Sequence, residues 1–132
     1  MNFWSKIFKK RYKLSEEDKK WNIFLAEIHK DDFNIDTLET GKRMLALCVY
    51  YDNEMCNGGH SSYFDTCSRI KNGELYEALK FIGGVEFADN FWEACKSGKK
   101  DDYVKNDEKY FLFDPDLNYF IQEYFENHID EF

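Results

Sequence analysis

His60 is the residue in this chain whose type and setting come nearest to chemistry. It follows Gly58-Gly59 and precedes Ser61-Ser62, with Glu54, Cys56, Asp65 and Cys67 a few positions away. An imidazole beside a hydroxyl or thiol is the raw material of nucleophilic catalysis, provided base and nucleophile lie within hydrogen-bond reach. These neighbours are close in sequence only, and the G-x-S-x-G nucleophile motif is absent. The preferred reading is structural: His60 caps or lines a helix junction, and the cysteines pack in the core, where free Cys is usually inert. A ligand-binding or hydrolytic corner at His60 is the lesser expectation. Glu54 and Asp65 flank the corner, but two carboxylates without a D-x-D-x-D loop do not specify a metal site. No Cys pair forms C-x-x-C, and neither Gly58-Gly59 nor Gly83-Gly84 extends to a phosphate loop. No catalytic, cofactor-binding or metal-ligating residues are expected, and no enzyme activity.

The carboxylates of the C-terminal third are the second candidate. Residues 101–132 hold ten acidic and two basic side chains. Glu123, Glu126 and Asp130 fall at i, i+3, i+7 on a predicted last helix, with Asp114 and Asp116 just before it. These five are the expected partner-binding face. Carboxylates one helical turn apart are spaced about 5.4 Å, whereas duplex phosphates advance about 3.4 Å per nucleotide along each strand. One helix therefore cannot match the charge density of DNA, and acids such as Asp101, Asp102, Asp107 and Glu108, or those of a second subunit, would have to contribute. The bland alternative is a solvated helix face.

These residues need helices to position them. Ser15, followed by Glu16, Glu17 and Asp18, reads as a capping box opening a helix on the face Trp21, Phe24, Leu25, Ile28. Asp36 or Thr37 is expected to cap a second helix, with the stripe Met44, Cys48, Tyr51, Met55 widened by Leu45, Leu47 and Val49. Its apolar circumference marks it as central, and Asn57-Gly58-Gly59 is expected to stop it. A short helix from Ser61 or Ser62 follows. Two further faces are Leu75, Ala78, Leu79, Ile82, ending at Gly83-Gly84, and Phe87, Ala88, Phe91, Ala94, ending at Gly98. Residues 97–110 are polar and read as a loop with a fragment of helix, and Tyr110 to Phe113 as extended. The last helix carries Leu117, Phe120, Ile121, Tyr124 and Phe125, with Pro115 in its first turn and Asp114 as cap. No stretch alternates with period two for long.

The expected fold is therefore all-α, a single compact domain of about six helices over residues 15–132, preceded by a basic amphipathic segment, residues 1–14. Phe3 with Ile7 and Trp4 with Phe8 are i, i+4 pairs among lysines. Such a segment can make weak contact with an anionic membrane surface, although packing of its aromatics on the domain is preferred. Of the 132 residues, 43% are hydrophobic and 19% aromatic, enough for a core. The net charge is −8, which excludes direct binding of nucleic acid and favours a basic partner. No secretory leader or membrane span is evident, so a cytoplasmic location with free thiols is expected.

The corner N-E-M-C-N-G-G-H-S-S-Y-F, then E-A-L-K-F-I-G-G and F-A-D-N-F, resembles the C-terminal domain family named for a bacterial DNA-mimic protein. Glu54, Asn57, Gly58, Gly59, Tyr63, Phe64, Ala78, Leu79, Ile82 and Gly83 match its pattern. His60 replaces the usual aromatic, Ser62 a common Gln, and Gly84 a frequent Ala. The resemblance covers roughly residues 36–130. It implies an all-α domain, often dimeric; the member that names the family presents acidic side chains in the manner of duplex DNA to a helix-turn-helix regulator, a role that lives in surface charge and does not transfer with the motif. The expected function is a non-enzymatic acidic protein-binding module, with DNA mimicry its sharpest form. An immunity or antitoxin protein that plugs a basic toxin is the alternative.

Overall fold

The computed structural model describes residues 14–132, and the basic segment expected at residues 1–13 lies outside them. The described residues carry six α-helices and no strand, the all-α fold read from the sequence. They divide into two compact units: residues up to Asn34 together with His128–Phe132, and Ile35–Asn127.

In the first unit, α1 spans Glu16–Ile28 behind a complete capping box. Ser15 Oγ accepts the Asp18 N–H at 3.1 Å, and Asp18 Oδ2 accepts the Ser15 N–H at 3.3 Å. Three acids in the first turn complement the positive end of the helix dipole. Phe24 and Ile28 are buried, and the Phe24 ring meets Phe132 edge-on at 5.0 Å. The helix ends one residue before His29, whose ring Nδ1–H donates to the Leu25 carbonyl at 2.7 Å.

In the second unit, Asp36 and Thr37 do not cap the next helix. They belong to a 3-10 turn, Ile35–Thr37, closed by the Leu38 N–H on the Ile35 carbonyl at 3.1 Å. Helix α2 starts later, at Thr40, and runs to Thr66. Five consecutive residues, Leu45 to Val49, are buried, with Tyr51 and Met55 beyond them, as the apolar circumference predicts. Gly58 and Gly59 have non-helical dihedrals, so the span is two helical segments joined across a kink, at the stop expected of Asn57-Gly58-Gly59. Helical geometry resumes at His60, earlier than the expected start at Ser61 or Ser62.

Helices α3 (Asn72–Ile82) and α4 (Val85–Ser97) pack on each other across Gly83-Gly84, where Gly84 takes φ 106°. A 3-10 turn, Gly98–Asp101, leads to α5 (Val104–Leu112). The fragment of helix expected within 97–110 is a full helix that runs on to Leu112, which corrects the reading of Tyr110 to Phe113 as extended; only Phe113 is. The charged stretch is helical because Tyr103, Asn106 and Tyr110, at i, i+3, i+7, are all buried. Helix α6 spans Leu117–Asn127. Its cap is Asp116, whose Oδ1 accepts the Tyr119 N–H at 2.9 Å, not Asp114, and Pro115 stands outside the helix. Central helix α2 packs against α3, α5 and α6, while α4 packs against α3 and α5.

Candidate functional site

The glycine pair turns α2 so that residues on both sides of it face one point. Gly59 has φ 78° and ψ −162°, a backbone conformation almost confined to glycine. It is required on a second count, because a Cβ there would collide with the Asp107 carboxylate of α5. Glu54, before the break, accepts a hydrogen bond from Ser62 Oγ, after it, at 2.5 Å. The family-motif corner is thus a clamped bend, in which Tyr63 is buried, Phe64 is half-buried and Asn57 stays exposed.

His60 is fully buried at this bend. Asp107 Oδ1 accepts two bonds from it, one from the backbone N–H at 2.9 Å and one from ring Nδ1 at 2.7 Å. Because Asp107 accepts, the ring proton resides on Nδ1, which leaves Nε2 as an acceptor. Tyr51 of α2 donates its O–H to Nε2 at 2.6 Å. One tautomer therefore satisfies the whole chain Tyr51–His60–Asp107. Burial lowers the His60 pKa below its usual 6.5 against the opposing pull of the Asp107 hydrogen bond and charge, so the imidazole is neutral at pH 7. Burial also pushes the Tyr51 phenol well above its ordinary value of 10, which keeps it protonated and donating.

A phenol, an imidazole and a carboxylate in series suggest proton relay, yet neither Tyr51 nor His60 has any exposed surface. Rings fill their surroundings: His60 stacks at 6.4 Å on Phe64 and on Phe91, and Tyr51 meets Tyr63 edge-on at 5.3 Å. Ser61 is exposed and no serine or cysteine bonds to the imidazole's Nε2, which Tyr51 occupies. In this structure the relay acts as a brace that joins the bend of α2 to α5.

Two more polar contacts secure the same helix. Asn106 Nδ2 donates to Asn90 Oδ1 at 2.9 Å, while Asn90 Nδ2 donates to the Asn106 carbonyl at 2.9 Å. Tyr110 donates to the half-buried Asp52 of α2. Nothing in sequence spacing links His60 to Asp107, 47 positions on; the row Tyr103, Asn106, Tyr110 was the one legible sign of α5. The Tyr63 hydroxyl, buried among these rings, has no hydrogen-bond partner. The thiols are free: Cys48 is buried, Cys67 and Cys95 are half-buried, and Cys56 is exposed rather than packed in the core.

The five predicted partner-binding acids are all exposed, but they do not form one helical stripe. Glu123 and Glu126 lie on α6, and Asp116 extends their row from the cap position. Buried Leu117, Ile121 and Phe125 occupy the opposite face. Asp114 stands just before the cap. Asp130 is off the helix, because α6 ends at Asn127 and Asp130 falls in the 3-10 turn Ile129–Glu131 of the other unit. Among the described residues no three His, Cys, Asp or Glu side chains are arranged to hold a metal ion, and no helix is long and apolar enough to cross a membrane.

A braced all-α scaffold defines the class. The chain belongs to the DMP19-like protein family, whose model matches residues 36–132. That range takes in all of the second unit but its first residue, Ile35, with the glycine bend, the His60 brace and the α6 acids. No curated protein and no solved structure gave a match.

Proposed function

We propose that the protein is a non-enzymatic acidic module that binds a basic protein, and that it does so as a DNA mimic occupying the nucleic-acid-binding surface of a DNA-binding protein. The observation that carries this reading is the row Asp116, Glu123, Glu126 on the face of α6 opposite its buried residues, in a chain whose family bears the DMP19-like name. Asp114 is assigned to the same function as a flanking charge. Three carboxylates from Asp116 to Glu126 cover about 15 Å at 1.5 Å per residue. A DNA strand places four or five phosphates over about that length. The row alone is thus sparser than DNA, and the mimic needs a second acidic surface, from elsewhere on the chain or from a second copy. The burial of Tyr51 and His60 supports the non-enzymatic reading, since neither offers a substrate any exposed surface.

The test is competition. Immobilised full-length protein is presented with purified basic DNA-binding domains, including helix-turn-helix examples, with and without duplex DNA. Binding is expected to weaken steadily with salt and to be displaced by DNA. The triple variant D116N/E123Q/E126Q is expected to bind roughly three- to a hundredfold more weakly, at about 0.2–1 kcal/mol per exposed ion pair. Salt-insensitive binding, or no binding to any basic domain, would overturn the reading.

A further inference from the structure

Helices α4 and α5 are joined by a ladder of contacts that runs in opposite directions along the two chains. Lys105 and Lys109 reach Glu93 at 3.3 and 3.6 Å, Asn106 pairs with Asn90, and Phe113 packs on Phe87 with ring centroids 4.7 Å apart. An open groove of about 410 Å³ follows this seam, lined by Glu86, Asp89, Asn90, Glu93, Lys109, Leu112 and Phe113.

Its two ends differ in charge. At one end both lysines neutralise Glu93. At the other, Glu86 and Asp89 are exposed across from Leu112 and Phe113. Leu112 is the most exposed large hydrophobic residue among those described, at 80%. That end also receives the C-terminus of α5, whose dipole is negative there. The groove therefore sets two carboxylates, of which Asp89 accepts the Tyr76 O–H at 3.3 Å, and a helix C-terminus against the exposed Leu112 side chain and the half-buried Phe113 ring.

We propose that this groove is a docking site for a basic amphipathic helix of a partner protein. The apolar wall takes the leucine-like side of such a helix, and its lysines or arginines meet Glu86 and Asp89. Charge complementarity selects the occupant. An anionic or purely apolar helix leaves the carboxylates without counter-charge, and a simple polycation leaves Leu112 and Phe113 wet. Glu86 and Asp89 stand at i and i+3 on α4, so a helix lying alongside it presents two cations at a matching interval. The site is separate from the α6 row and stands whether or not that row imitates DNA.

The experiment is an amide chemical-shift titration of the full chain with a helical leucine/lysine peptide of about fourteen residues, roughly four turns. The matched leucine/glutamate peptide and oligolysine serve as controls. Shifts are expected to cluster at residues 86–93 and 109–113 with the leucine/lysine peptide only. E86Q/D89N is expected to weaken it about two- to thirtyfold, the range of two exposed ion pairs. L112S is expected to weaken it about fivefold or more through lost apolar contact. All three positions are exposed, so these variants fold as the parent does. D116N/E123Q/E126Q should leave the peptide affinity unchanged, which separates this site from the α6 surface. Shifts that fall on α6, equal binding of oligolysine, or full affinity in L112S would each overturn the proposal.

Discussion

Asp107 does more for this molecule than any residue read as functional from the sequence. Its Oδ1 holds the first N–H after the broken turn of α2 and fixes the tautomer of a buried imidazole. Removing the side chain takes the acceptor from both donors of the buried His60, at about 1–3 kcal/mol for each unsatisfied group. Asparagine keeps an acceptor oxygen in the same place. D107A is therefore expected to lose about 2–5 kcal/mol in urea unfolding, and D107N to lose less than half as much as D107A. Equal losses would show that charge, rather than the accepting oxygen, holds the bend. No pattern in the sequence points to this partnership. His60 and its glycines are conspicuous by composition, but a long-range pair leaves no periodic trace.

The helices were legible to the extent that their buried faces are apolar. The faces of α1, α3, α4 and α6 follow from spacing, and so does the central place of α2. The predicted acidic row was legible as far as Glu126 and failed at Asp130, which lies past the end of α6 at Asn127. Helix α5 escaped because its inner face is Tyr103, Asn106 and Tyr110, and a buried amide looks like a loop residue until its partner is known. That inner face predicts how α5 behaves. With N90A, the Asn106 side chain loses its best acceptor and the Asn106 carbonyl loses a side-chain donor. Amides of Val104–Leu112 are expected to exchange about tenfold faster or more, as the loss of about 1.4 kcal/mol of local protection implies. Amides of Leu45–Val49 in α2 should change much less. Uniform acceleration across both helices would mean that α5 has no opening of its own.

For the whole molecule, the interior and the surface answer to acid differently. Unfolded His60 takes up a proton as the pH falls through 6.5, whereas the folded ring resists until lower pH. In that window the unfolded chain binds more protons, so stability falls on acidification. Asp52 has the opposite sign. Burial raises its pKa above 3.8 despite the Tyr110 hydrogen bond, so the folded carboxyl protonates first and acid favours the fold there. Urea unfolding between pH 8 and 4 is expected to show stability declining below about pH 6.5. D52N should make the acid-side decline steeper while costing little at pH 7, because the amide oxygen still accepts from Tyr110. A profile flat from pH 7 to 5 would contradict the neutral buried imidazole. The exposed carboxylates of α4 and α6 take no part in the brace, which leaves surface charge free to vary without disturbing the interior.

The solitary hydroxyl of Tyr63 carries a final consequence. Its oxygen lies in a pocket of rings with nothing to bond, so the fold tolerates a desolvated phenol where a hydrocarbon ring would serve. Y63F is expected to raise the melting temperature, by about 4 °C or more if it recovers about 1 kcal/mol. The protein thus holds unused thermal reserve at its own centre, one oxygen atom away.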